Sequence, residues 1–224
     1  MIEPFTQFGI ICISGEDAAN FLQGQVTCDV MQRSTKLGAC CNNQGRVISN
    51  FRLYDFQACY YLLMHQSVIE STVAHLKKFA MFSKVDIGEI KNISAALQAS
   101  LPKVTSDNAL LLQDIAAKVV NITIDTSEKF TPHEISLEQT GAISFHKGCY
   151  QGQEIIARMH YQGKAKQHLI QAQSDIAFEP GDIIKVDDRK VGCVINCAKD
   201  ASHYVLLASL RDDALDADLP FTLT

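Results

Sequence analysis

The run FHKGCYQGQEIIAR, Phe145 to Arg158, holds the densest set of side chains that could do chemistry. Lys147 and Cys149 lie two residues apart, so in extended backbone both side chains leave one face and the ammonium favours the thiolate. Gly148 and Gly152 free the backbone for a turn. QEIIARM reads as a helix opening at Gly152 or Gln153, which sets Cys149 just ahead of a helix N-terminus, where positive partial charge lowers a thiol pKa further. Lys147 and Cys149 are therefore the candidate catalytic pair. Gln153 supplies an amide with donor and acceptor, and Glu154 a carboxylate able to accept two parallel hydrogen bonds from a planar amidine-like edge such as that of a pterin. The same residues also fit a plainer arrangement, a strand-to-helix turn with Cys149 packed inside and Glu154 favouring the helix start.

Other candidates carry less. His146 and His160 flank the stretch and could serve Cys149 as a base, yet no third group that would orient them is evident. Cys40-Cys41 and the pair Cys193 and Cys197 are most simply small apolar residues in strands, and no cysteine spacing matches a self-sufficient metal site, so no metal ligand is assigned. NNQGR, Asn42 to Arg46, reads as a hairpin turn.

The elements that must position these residues belong to an ordinary globular chain of 224 residues, 47% hydrophobic and 20% charged. Lys and Arg number 20 against 25 Asp and Glu, a formal charge of -5, so long-range attraction to nucleic acid phosphates is not expected. NALLLQDIAAKVVNITI is broken by Gln113, Asp114 and Lys118, leaving no bilayer-spanning window. MIEPFTQFGIICISGED has no basic region followed by a cleavable apolar stretch, and eight cysteines in a chain this long need no disulfide framework; both point to the reducing cytoplasm.

FGIICISG predicts a buried strand, followed by a helix over Ala18, Phe21 and Leu22 that a Ser14–Asp17 capping box would open and Gly24 would close. KLGACCNNQGRVISNFRLYDFQACYYLLMH predicts an antiparallel meander, and Ser67 to Phe79 an amphipathic helix packed on it. SKVDIGEIKNI reads as a strand, SDNALLLQDIAAK as a short helix capped by Ser106 or Asp107, VVNITI as a strand, and TPHEISLEQTG as a short helix starting at Pro132. After Lys166 the runs HLIQAQSD, DIIKVDD, RKVGCVINCA, HYVLLASL and PFTLT predict a small β-barrel or sandwich of about 60 residues.

ISGEDAANFLQGQVTCDV, GRVISNFRLYD, SKVDI, GAISFHKGCYQGQEIIARMHYQGKAK and VGCVI resemble, in that order, the YgfZ family of folate-binding proteins, relatives of the glycine cleavage aminomethyltransferase. The most specific element is K-G-C-Y-x-G-Q-E, here Lys147, Gly148, Cys149, Tyr150, Gly152, Gln153 and Glu154. The resemblance implies an α+β fold of small mixed lobes around a central hole, with two interleaved lobes in residues 1–165 and a C-terminal β-barrel in 166–224. It also implies tetrahydrofolate or a one-carbon derivative as cofactor, with Tyr150, Gln153, Glu154, Asn50 and Arg158 as the binding residues. The role it implies is that of a cytoplasmic accessory factor that assembles or repairs iron-sulfur enzymes, with iron-sulfur proteins or assembly factors as partners and an indirect effect on tRNA modification. Folate-dependent thiol chemistry at Cys149 and a one-carbon transferase activity both stay open as reactions. Where the aminomethyltransferase carries an Asp pair this chain has Ser49 and Asn50, which argues against aminomethyl transfer.

Overall fold

The computed structural model describes residues 6–32, 36–163 and 165–224. Residues 1–5, read above as lacking a basic leader, and Lys164 of the long motif lie outside the described residues.

Strands β1 (Phe8–Ser14), β2 (Lys36–Cys41), β3 (Val47–Phe56), β4 (Cys59–His65) and β5 (Asp86–Ile90) form one antiparallel sheet in the order β2-β3-β4-β1-β5. The meander is present, and β1 slots between β4 and β5. FGIICIS lacks alternation because both faces are covered. Phe8 and Ile10 pack with Leu97 of α3 (Ala95–Ser100) and Leu110 of α4 (Asp107–Ala116). Ile11 and Ile13 point the other way, into the core shared with Leu22 of α1 (Ala18–Gln23) and Leu76 of α2 (Ile69–Phe79). The two-residue period of a strand thus sorts one hydrophobic run onto two helix layers.

A second antiparallel sheet, a half-barrel in the order β10-β6-β9-β8-β7, is built from β6 (Gln167–Ser174), β7 (Ile183–Val186), β8 (Arg189–Asp200), β9 (His203–Arg211) and β10 (Thr222–Leu223). One side holds its own core of Ala172, Ile184, Val194, Leu206 and Leu210. The other contributes Leu169, Cys193, Ile195 and Leu207 to the large core of the first sheet. The molecule is therefore α+β with two sheets.

Three local expectations need correction, and one helix lies where no element is expected from the sequence. The Ser14–Asp17 capping box does not form, since Ser14 ends β1 and the Asp17 carboxylate accepts the Lys84 N–H at 2.7 Å instead. Residues 95–100, passed over in the sequence, are helical, with the Ser94 hydroxyl accepting the Leu97 N–H. VVNITI is not a strand. Asn50 of β3 donates to the Val120 carbonyl at 2.6 Å and accepts from the Ile122 N–H at 2.8 Å, while Asn196 of β8 accepts from the Asn121 N–H at 2.7 Å and donates to its carbonyl at 2.8 Å. Two buried side-chain amides take the backbone bonds that a neighbouring strand would have supplied. TPHEISLEQTG is a succession of turns, because Glu134 turns back to accept from Thr131 and Ser136 adopts a left-handed φ of 53° that a helix cannot continue through.

Candidate functional site

The motif stretch folds as a bend at residues 145–147, an irregular link, and helix α5 (Gln153–Gln162). Gly152 is the N-cap, at φ 80°, and the Gln153 side-chain carbonyl accepts the Tyr150 N–H at 3.2 Å, tying the link to the first turn. A Cβ at Gly152 would stand 2.6 Å from the Asn42 carbonyl oxygen and 3.2 Å from the Gly45 Cα. The NNQGR hairpin, with Gly45 at φ 72°, is thus seated against the start of α5.

FLQGQVTC, residues 21–28, closes on the motif from another side. Gln151 N–H donates to the Gly24 carbonyl at 3.2 Å, Ser144 N–H to the Thr27 carbonyl at 2.9 Å, and the Thr27 hydroxyl to the Ala142 carbonyl at 2.6 Å. Lys147 completes the join: its ammonium donates to the carbonyls of Val26 and Cys28 at 2.7 and 2.8 Å and lies 5.0 Å from the centre of the Tyr150 ring. Burial pulls its pKa down to about 8. The Cys28 thiol next to it is pushed up to about 11 by burial, against the opposing pull of Lys147 and Lys36.

This geometry corrects the expected Lys147–Cys149 pair. The bend at 145–147 breaks the extended backbone that would have aligned the two side chains, and the ammonium is directed to two carbonyls. The charges that act on it come from Cys28, Asp29 and Lys36. Cys149 is exposed, which also removes the packed-cysteine alternative. Asn50 is corrected too: it is buried, and both ends of its amide hold the 120–122 backbone. Glu154 and Arg158 stand on the exposed side of α5. His160, considered as a base for Cys149, is stacked on Phe145 with centroids 3.9 Å apart and reaches Glu138 through Nδ1 at 2.6 Å.

Two buried polar atoms in these segments have no hydrogen-bond partner: the Tyr150 hydroxyl and the Gln25 side-chain oxygen. Sequence reasoning proposed Tyr150 but not Gln25, whose only signal was its place in FLQGQ. The Tyr150 phenol is held protonated, its pKa raised by burial and by the Cys41 thiol nearby.

An antiparallel sheet with helices on both faces, a half-barrel docked on its core and a glycine-capped helix springing from a K-G-C turn define a protein of the aminomethyltransferase fold. The glycine cleavage system aminomethyltransferase T from Bartonella henselae shares it, with a TM-score of 0.66 over 91% of this chain and 76% of that one at 12% identity. By sequence, the chain is 31% identical to the tRNA-modifying protein YgfZ of Colwellia psychrerythraea (strain 34H) over 280 residues, covering 96% of this chain and 86% of the relative. It is 28% identical to the protein of the same name from Vibrio atlanticus (strain LGP32), over 100% of this chain and 88% of that one. An uncharacterized protein of Haemophilus influenzae is 28% identical over 97% of this chain and 91% of its own length. The chain belongs to the YgfZ family. No family model matches it.

No helix among the described residues is long and apolar enough to cross a membrane.

Proposed function

We propose that this protein is a tetrahydrofolate-binding accessory factor that supports the assembly or repair of iron-sulfur enzymes and, through them, tRNA modification. The observation that carries the reading is the braced K-G-C-Y-x-G-Q-E turn, which leaves an exposed thiol and an exposed carboxylate on a backbone locked to two other segments. The naming of the relatives as tRNA-modifying proteins and the aminomethyltransferase fold support it.

The residues present fit a polar, planar ligand. The unpartnered Tyr150 hydroxyl and Gln25 oxygen are the kind of buried groups that a bound molecule satisfies. Glu154 would accept from the amino-pyrimidine edge of the pterin, with the free Gln153 amide nitrogen and Arg158 as further contacts. Tetrahydrofolate, when bound, supplies a carrier for one-carbon units. Cys149 is the soft group suited to an iron-sulfur cluster or a sulfur species, and its exposure lets a client protein reach it. All eight cysteines are free thiols, which suits the reducing compartment proposed for it. The one-carbon transferase reading has less support, because Asn50, one of its two candidates with Glu154 for orienting folate, is occupied by backbone.

Titration of the pure protein with tetrahydrofolate and its methylene and formyl derivatives tests the binding step. At least one should bind, and Glu154→Gln should weaken it roughly tenfold to hundredfold, the loss of one charge-assisted pair worth about 1.5 to 3 kcal/mol. Failure of every reduced folate to bind overturns the reading. Cys149→Ala should retain folate binding and lose activity in a reactivation assay of an iron-sulfur enzyme.

A further inference from the structure

Away from the K-G-C turn, two segments bring three metal-ligating side chains together. His133 and Glu138 stand on the turns that run from Pro132 to Gly141, and His160 on the last turn of α5. One ring nitrogen from each histidine and one carboxylate oxygen all lie within 4.8 Å of one another. Glu138 links the two rings, with Oε1 2.6 Å from His160 Nδ1 and Oε2 3.6 Å from His133 Nε2.

The state of His133 points to a missing ligand. Its side chain is only 10% exposed, and neither ring nitrogen has a hydrogen-bond partner. Buried polar atoms are almost always bonded, and Nε2, 3.6 Å from the Glu138 carboxylate and too far to bond it, is the ring nitrogen that a ligand between the two would satisfy. His160 is held in place by its stack on Phe145 and by the edge of Tyr161 at 4.6 Å, so the ring that faces Glu138 has little freedom to turn away.

We propose that His133, Glu138 and His160 bind a divalent transition-metal ion of the zinc class through three protein ligands. Two neutral imidazoles and a carboxylate are the donor set such ions prefer, whereas calcium and magnesium take six or more oxygens and only one carboxylate is present here. Bonds of about 2.0–2.1 Å in a tetrahedron put ligand atoms roughly 3.3 Å apart, so the three groups close on the ion by small side-chain rotations. The fourth position opens into a cavity of about 790 Å³ lined also by Ser136, Met159, His168 and Asp212. His168 Nδ1 and Asp212 Oδ1, which also line this cavity, lie 2.5 Å apart. The ion fastens the 132–141 turns to α5, the helix whose first turn carries Gln153 and Glu154.

The test is titration of the full chain, stripped by a chelator and kept reduced, with Co²⁺ and then Zn²⁺. The eight thiols are the competing ligands, and cobalt distinguishes them, since a thiolate gives a near-ultraviolet charge-transfer band that nitrogen and oxygen ligands do not. One equivalent of Co²⁺ should bind with visible ligand-field bands and without the thiolate band, and one equivalent of Zn²⁺ should displace it. His133→Ala and Glu138→Gln should each weaken binding by more than the roughly tenfold to hundredfold that outer-shell changes cost, while the metal-free variants keep the parent's circular dichroism. Should His133→Ala fail to fold, Glu138→Gln carries the test, being equal in size at a side chain 36% exposed. A thiolate band with binding intact in Glu138→Gln places the ion on cysteines and overturns the assignment. Absence of stoichiometric binding overturns it as well.

Discussion

The Lys147 ammonium lies 2.7 Å from the carbonyl oxygen of Val26, a residue 121 positions earlier in the chain. With its second bond to Cys28 it ties FLQGQVTC to the K-G-C turn. The lysine of the motif is thus a brace, and Cys149 stands free beyond it.

Burial makes that brace sensitive to pH. Lys147 titrates at about 8 in the folded protein against an ordinary 10.5, so between these values the unfolded chain binds more protons and the contribution of Lys147 to stability rises with pH. Below 8 the cost of burying the charge is present in full. Buried thiols act in the opposite direction: Cys28 at about 11 and Cys40 at about 12, against 9.0, contribute less as pH climbs past 9. Comparison of the parent with Lys147→Met cancels the thiols that Lys147 does not act on, and between pH 8 and 9, below the ordinary thiol value, Cys28 is protonated in both states and does not contribute. Denaturant unfolding at a series of pH values should show the parent gaining on the variant between pH 8 and 9, and a flat difference there would refute the depressed lysine.

Cys149 should be the first of the eight cysteines to react with iodoacetamide, being the exposed one. Lys147→Met should change its rate by less than about threefold, because the ammonium is bound to carbonyls elsewhere. Mass-spectrometric mapping of the alkylated sites decides both points. A tenfold loss of rate in the variant would restore the lysine–thiol pair.

Gly152→Ala should destabilise the protein by about 1–3 kcal/mol, from left-handed backbone alone, with the 2.6 Å approach to the Asn42 carbonyl adding to it. The melting midpoint should fall by at least about 2–10 °C. An unchanged midpoint would mean that the hairpin and α5 are not in contact.

Asn196→Ala leaves both backbone groups of Asn121 without partners in a buried place, at a cost of about 1–3 kcal/mol for each group. Asn50→Asp should be equally harmful, since a carboxylate oxygen would replace the donor that now faces the Val120 carbonyl. Chemical denaturation measures both. If Asn50→Asp is neutral in stability, the clamp on residues 120–122 does not exist.

The periodic elements were legible in the sequence. β1, the meander, α2, α4, α5 and the five strands after Lys166 follow from hydrophobic spacing, caps and glycines, because each of these signals acts within a few residues and reports which face will be buried. The K-G-C-Y-x-G-Q-E turn and its helix were legible for the same reason. Tertiary structure alone decided where side chains reach across the chain. VVNITI has the composition of a strand, yet Asn50 and Asn196, 70 or more residues away on either side, supply the hydrogen bonds of residues 120–122. Lys147 and Cys149 have the spacing of a pair, yet a bend and two distant carbonyls separate them. His133, Glu138 and His160 show no ligand spacing at all, and meet only because α5 folds back along the 132–141 turns. Periodicity specifies which face a residue presents; the partner that face meets depends on how the elements pack, which no local signal contains.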